Sequence, residues 1–167
     1  MRTENSTKAI LTVALIFGSA VAISSISSTS MVFANHEFAA NLTGQQEVPP
    51  VDTQATGEAI LVPDLPLNQT VYYFVNATGI QGVTKGHIHS GAQGENGPVV
   101  VTLFSFDSPQ NAVLQNGTIA ANNLEGPMQG KTIPDLIAAM KNGSTYVNFH
   151  TEQNPDGEIR GQLMSTK

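Results

Sequence analysis

From residue 37 onward the chain breaks into short apolar or alternating runs, each closed by Gly, Pro or Asn after roughly ten positions, the punctuation of a sandwich or barrel. Segments of this length cannot carry a helical stripe, but they suit strands with one face on a core. The spacing predicts strands over 37–43, 57–62, 70–76, 85–89, 98–104, 113–120, 145–151 and 158–164. One stretch departs from the pattern. Thr132-Ile133-Pro134-Asp135 offers a capping residue and an early proline, Leu136 to Met140 is apolar, and Asn142-Gly143 supplies a stop, which together predict a short crossover helix. The expected fold class is all-β, a Greek-key sandwich or flattened barrel of about eight antiparallel strands with one short helix.

The first 34 residues read differently. Arg2 and Lys8 precede an almost uninterrupted apolar run from Ala9 to Ile23, and the segment ends Val32-Phe33-Ala34, as a secretory signal cleaved after Ala34 would. An uncleaved anchor is the competing reading, since the 18 residues from Ala9 to Ile26 approach the length that spans a bilayer. The serines and threonine between Ser24 and Ser30 weaken it. Either reading puts the domain outside the cytoplasm, secreted or at the cell surface, with a membrane involved only if the leader stays. The remaining residues, 35–167, are of a size for one domain.

The leader removes two of the seven basic and one of the thirteen acidic side chains, leaving five and twelve, a net charge of about −7. Such a surface repels phosphate backbones, so nucleic acid is not an expected partner. The absence of cysteine excludes disulfide scaffolds, thiolate metal sites and cysteine nucleophiles.

The remaining chemistry gathers on histidine. In Gly86-His87-Ile88-His89 a period of two puts both imidazoles on one face and Ile88 on the other, toward the core. Tyr146-Val147-Asn148-Phe149-His150 repeats the phase, with His150 on the polar side. If the two strands are neighbours, three imidazoles converge without entering the hydrophobic core, and nitrogen ligands of this kind suit copper, zinc, iron or nickel. The alternative is that they are solvated polar residues. His36, beside the expected mature N-terminus, is read as solvated, with a role as an extra ligand alongside the terminal amine as the alternative. Arg160 is the one arginine after the leader; it either attracts a small anion to the site or pairs with Glu158 or Glu152. Glu47, Asp52, Glu152, Asp156 and Glu158 fall in predicted loops or strand ends with no acid–base spacing, so solvation or calcium coordination is their ordinary explanation. No Gly-x-Ser-x-Gly elbow is present, and the glycine-rich run 91–98 leads into a strand, not a helix.

Phe38-Ala39-Ala40-Asn41-Leu42-Thr43-Gly44-Gln45-Gln46-Glu47-Val48-Pro49-Pro50, Gly86-His87-Ile88-His89-Ser90-Gly91, Asn96-Gly97-Pro98-Val99-Val100-Val101, and Tyr146 to Thr151 with Asn154 to Leu163 together resemble the CHRD domain, named after chordin. The resemblance spans the chain after the leader and implies an extracellular module, with a secreted protein as a partner. A second similarity, to the copper half of copper/zinc superoxide dismutase, rests on the order Gly-x-His-x-His, glycine-rich loop, strand ending in His, then the arginine. It implies one copper ion on His87, His89 and His150, with Arg160 guiding superoxide. The chain departs from that pattern in having no bridging histidine, no zinc-ligand cluster in 91–97 and no disulfide. The expectations are therefore a copper site with superoxide dismutation, a non-enzymatic binding or adhesion module, or a copper storage or delivery protein.

Overall fold

The computed structural model describes residues 37–166 apart from Pro66 and Asn68; the leader and His36 lie outside the described residues. Strands β1 (Phe38–Thr43), β2 (Thr56–Asp64), β3 (Thr70–Thr78), β4 (Val83–Ser90), β5 (Val99–Gln110) and β6 (Val113–Ile119) come first. Helix α1 (Ile133–Lys141) then leads into β7 (Thr145–Thr151), β8 (Ile159–Gln162) and the short β9 (Met164–Ser165). All ladders between these strands are antiparallel, in the order β5-β4-β7-β8-β1-β2-β3-β6, with β9 added to β1. The sheet bends so that its inner face encloses one core, giving the expected flattened barrel or sandwich.

Alternation supplies that core. Phe38, Ala40 and Leu42 on β1, Ala59 and Leu61 on β2, and Val75 and Ala77 on β3 are buried at every second position, and Val71 on β3 with Val147 and Phe149 on β7 join the same core. Helix α1 begins where the sequence predicts. Thr132 Oγ1 accepts from the Asp135 N–H while Asp135 Oδ2 accepts from the Thr132 N–H at 2.8 Å, a reciprocal cap. Its apolar side, Ile133, Leu136, Ile137 and Met140, is buried. Gly143, with φ +65°, ends it.

Two features prepare the functional face. First, β4 pairs regularly with β7 from Lys85 to Ser90, whereas its register with β5 slips between Gly86 and His87 and again between Ile88 and His89. Each slip gives β5 an extra residue opposite the histidine pair, a bulge that curves the sheet there. Second, β7 is buried at all seven positions. The polar face expected to be open to water is covered instead by the loops 44–55, 91–98 and 152–157, so Tyr146, Asn148 and His150 are buried beneath a roof.

Gly86 shows how tightly the opposite face is filled. A Cβ there would overlap the rings of Phe104 and Phe149, which meet edge to face at 5.2 Å between centroids. Gly86→Ala therefore destabilises the domain by about 1–3 kcal/mol, the usual range for overpacking. Urea unfolding checks this: a lower midpoint with unchanged slope is expected.

Candidate metal centre

Register brings the three histidines together. His87 lies opposite Asn148 on β7 and His89 opposite Tyr146, while Lys85 lies opposite His150, which makes His150 a diagonal neighbour of His87 on the same face. Ring centroids are 4.8 Å apart for His87 and His150, 5.5 Å for His87 and His89, and 5.7 Å for His89 and His150. One nitrogen from each lies within 4.8 Å of the others. Among the described residues, this is the one group of three or more His, Cys, Asp or Glu with such spacing. None of the three is the solvated side chain of the alternative reading, since they are only 5–8 % exposed.

Backbone carbonyls orient two of the rings. His89 Nδ1 donates to Gly97 O and His150 Nδ1 donates to Pro155 O, both at 2.9 Å. A carbonyl only accepts, so each Nδ1 carries the hydrogen and each Nε2 presents its lone pair. His87 Nδ1 lies 3.0 Å from His150 Nε2, and His89 Nε2 is buried with no hydrogen-bond partner. Two metal–nitrogen bonds of about 2.0–2.1 Å span at most about 4.2 Å, so a shift of the rings of about half an ångström or more would let one ion reach all three. The residues present thus fit a three-imidazole site.

Burial also sets the charge. Desolvation first, and the neighbouring imidazoles and Lys85 after it, lower the His87 pKa to about 3. Burial likewise takes His150 down to about 4, against the bond to Pro155, and lowers His89. The three ligands are neutral at pH 7, the form that binds metal.

A second set of contacts holds the roof. The Tyr146 ring stacks on His89 at 4.9 Å between centroids and 9° between planes, and Arg160 Cζ lies 3.4 Å from the centroid of the Tyr146 ring. The Gly97 N–H donates to the Tyr146 hydroxyl at 3.1 Å. Arg160 Nη1 donates to Asn96 Oδ1 at 3.0 Å, and Nη2 to the carbonyls of Ala92 and Glu95 at 3.2 and 2.7 Å. Asn96 Nδ2 in turn donates to Val48 O at 2.7 Å. Arg160 is 1 % exposed, and these three partners come from the 91–98 loop, not from Glu158 or Glu152. Glu158 instead accepts from Thr53, Thr151 and Asn154 at 2.8, 2.8 and 3.1 Å, joining the other two loops.

Of the loop and strand-end carboxylates read from sequence as solvated, Asp52, Glu152 and Asp156 are exposed, but Glu47 and Glu158 are buried. Glu47 is the group that sequence reasoning missed. Burial raises its pKa to about 7, although the Arg160 guanidinium and the Asn148 amide act to lower it. Its place within Gln46-Glu47-Val48-Pro49-Pro50 was the available signal, as a carboxylate set in an apolar, proline-rich stretch.

A model of the CHRD domain matches residues 38–163. The chain belongs to the CHRD family. No curated protein matches the chain. The matched span includes all eight principal strands, the three histidines and Arg160, so the candidate centre is part of the CHRD domain itself. No helix among the described residues is long and apolar enough to cross a membrane.

The pKa shifts fix the sign of the metal-free domain's acid sensitivity. Between pH 4.5 and 6.5 the unfolded chain takes protons on His87 and His150 that the fold keeps neutral, and His89 acts in the same direction, whereas the fold retains one proton, on Glu47, that the unfolded chain has lost. The imidazoles outnumber the carboxyl, so stability falls as pH falls through this window. Thermal unfolding of the metal-free protein at pH 7, 6 and 5 is expected to show a falling Tm, and Glu47→Gln, which removes the opposing contribution, a steeper fall. A Tm that rises on acidification contradicts the assignment.

Proposed function

We propose that this chain is an extracellular copper-binding CHRD domain with a mononuclear site on His87, His89 and His150. The observation that carries the reading is the convergence of three buried, neutral imidazole nitrogens, two of them aimed by carbonyl acceptors, with no acid or thiol in the cluster. The absence of oxygen donors disfavours calcium and magnesium, which need them, and an all-nitrogen set suits copper. The hydrogen bonds to Gly97 and Pro155 fix ring orientation from behind, the usual role of a metal-bound histidine's other nitrogen. The leader over residues 1–34, read as a secretory signal, supports the extracellular assignment.

Copper on such a site supplies one-electron chemistry, and superoxide dismutation is the reaction we assign to it. Within that reading Arg160 contributes its positive charge from beneath the 91–98 loop and keeps the loop on Tyr146. The burial of the imidazoles favours a second reading, in which the domain stores or delivers copper without turnover, because a substrate has little open face to approach. A purely adhesive module, bound to another extracellular protein, predicts no copper uptake.

Metal analysis after copper loading and desalting separates these readings. One copper per chain is expected, with affinity falling at least a hundredfold in the His87→Ala/His89→Ala variant, beyond the roughly 10–100-fold that outer-shell changes cost. Equal retention by both rejects the site. Dismutase activity that disappears in His150→Ala and weakens in Arg160→Ala supports turnover; an active His150→Ala protein rejects it, and rapid transfer of copper to a chelator without activity supports storage or delivery.

A further inference from the structure

Glu47 sits under the roof with a carboxyl group that is not fully paired. The residue is 6 % exposed; Oε2 accepts from Asn148 Nδ2 at 3.4 Å, while Oε1 has no hydrogen-bond partner. Asn148, 3 % exposed, also has an unpartnered oxygen, Oδ1. The two orphaned oxygens face one place. The point where a side chain at residue 157 would begin is 2.4 Å from Asn148 Nδ2, 2.5 Å from Asn148 Oδ1 and 2.7 Å from Glu47 Oε1, and only the glycine present, at φ +137°, leaves it clear. Two buried acceptors near one point and each without a donor are costly, and a single hydrogen on Glu47 directed at the amide oxygen would serve both. The acid then donates to the amide oxygen while the amide donates to the acid.

This pair adjoins the metal centre. Asn148 lies opposite His87 in register and two residues before His150 on the same face, so one side chain stands between Glu47 and the imidazoles. The ligand set itself is uncharged and contains no carboxylate. A divalent cation placed there would bring two positive charges into a buried region whose cation on β8, Arg160, already faces Glu47. Asp156, on the loop after β7, is exposed and lines the same cleft of about 300 Å³ as Glu47, and Asp52 on Glu47's own loop is exposed. Glu158 is also buried, but both its oxygens accept hydrogen bonds, from Thr53, Thr151 and Asn154. Among the carboxylates nearby, Glu47 is thus the buried one with an unpartnered oxygen, and the cleft gives its proton a route to water.

We propose that Glu47 is the charge-compensating residue of the three-histidine site, a neutral acid hydrogen-bonded to Asn148 when the site is empty and a carboxylate when a divalent cation is bound. The inference rests on the copper reading above. Binding moves one proton from the Glu47 carboxyl to solvent, and no electron is transferred. The direction follows from elementary electrostatics, since a nearby positive charge in a region of low dielectric favours the ionised acid. The unpartnered Oε1 of Glu47, facing the amide of Asn148, makes Glu47 the group that releases a proton.

Calorimetric titration with Cu²⁺ at pH 6, in buffers of different ionisation enthalpy, counts the protons released by the full-length protein and by Glu47→Gln. The wild type is expected to release about one proton more per copper than the variant. Copper uptake with equal release overturns the inference and leaves the copper site standing. No uptake by the wild type overturns the copper reading, and the exchange with it. The carboxyl ¹³C resonance of Glu47 in metal-free wild type tests the neutral acid without any variant: a midpoint near 7 is expected, and one near the ordinary 4.5 overturns the proposal.

Discussion

The Tyr146 ring packs against two partners, the His89 imidazole stacked on it and the Arg160 guanidinium lying over it. That stack joins the sheet to its roof. Arg160 belongs to β8 but ends on the carbonyls of Ala92 and Glu95, and Tyr146 belongs to β7 but receives the Gly97 N–H. Gly97 also supplies the carbonyl that orients His89. A guanidinium over an aromatic face in a desolvated setting is worth on the order of 2 kcal/mol, more than an exposed pair, because neither partner competes with water. The same residues therefore fix the loop, exclude solvent and aim a ligand.

Burial of this kind has a chemical consequence. Imidazoles covered by loops lose their protonated form, so at pH 7 the histidines are neutral, the form a metal ion would need. The same desolvation acts in the opposite sense on Glu47, whose pKa it raises to about 7. One dry layer thus produces both an uncharged ligand set and a neutral acid beside it. The arrangement departs from a rigid hydrophobic core in that its polar atoms are oriented by carbonyls and amides from three loops, which the fold places on the outer face of β7.

The sheet was legible because alternation is a local signal. Val147 and Phe149 point inward and His150 outward for the same reason that Ile88 points inward between His87 and His89, and the period of two requires no knowledge of neighbours. The capped start and Asn-Gly end of α1 were readable on similar grounds. Adjacency of β4 and β7 was a condition in the sequence, met in the structure by their register. The roof was not readable. Arg160 meets Ala92 across 68 positions and Asn148 meets Glu47 across 101, and nothing in the local pattern of either loop announces which strand face it will cover. For that reason the sequence leaves Arg160 between attracting a small anion and pairing with Glu158 or Glu152, whereas its partners are loop carbonyls and an asparagine. Glu47, for the same reason, read as an ordinary solvated acid. The bulges of β5 beside the histidines were hidden as well, because an extra residue in one strand is defined only against its partner.

The central claim is that three imidazoles share one metal ion. Copper X-ray absorption on the loaded, desalted protein tests it most directly, since imidazole rings give a recognisable outer-shell scattering pattern. Three imidazole nitrogens at about 2.0 Å are predicted, with the pattern reduced by one ring in His150→Ala. A first shell of oxygen atoms, or a spectrum unchanged by the substitution, would contradict the account.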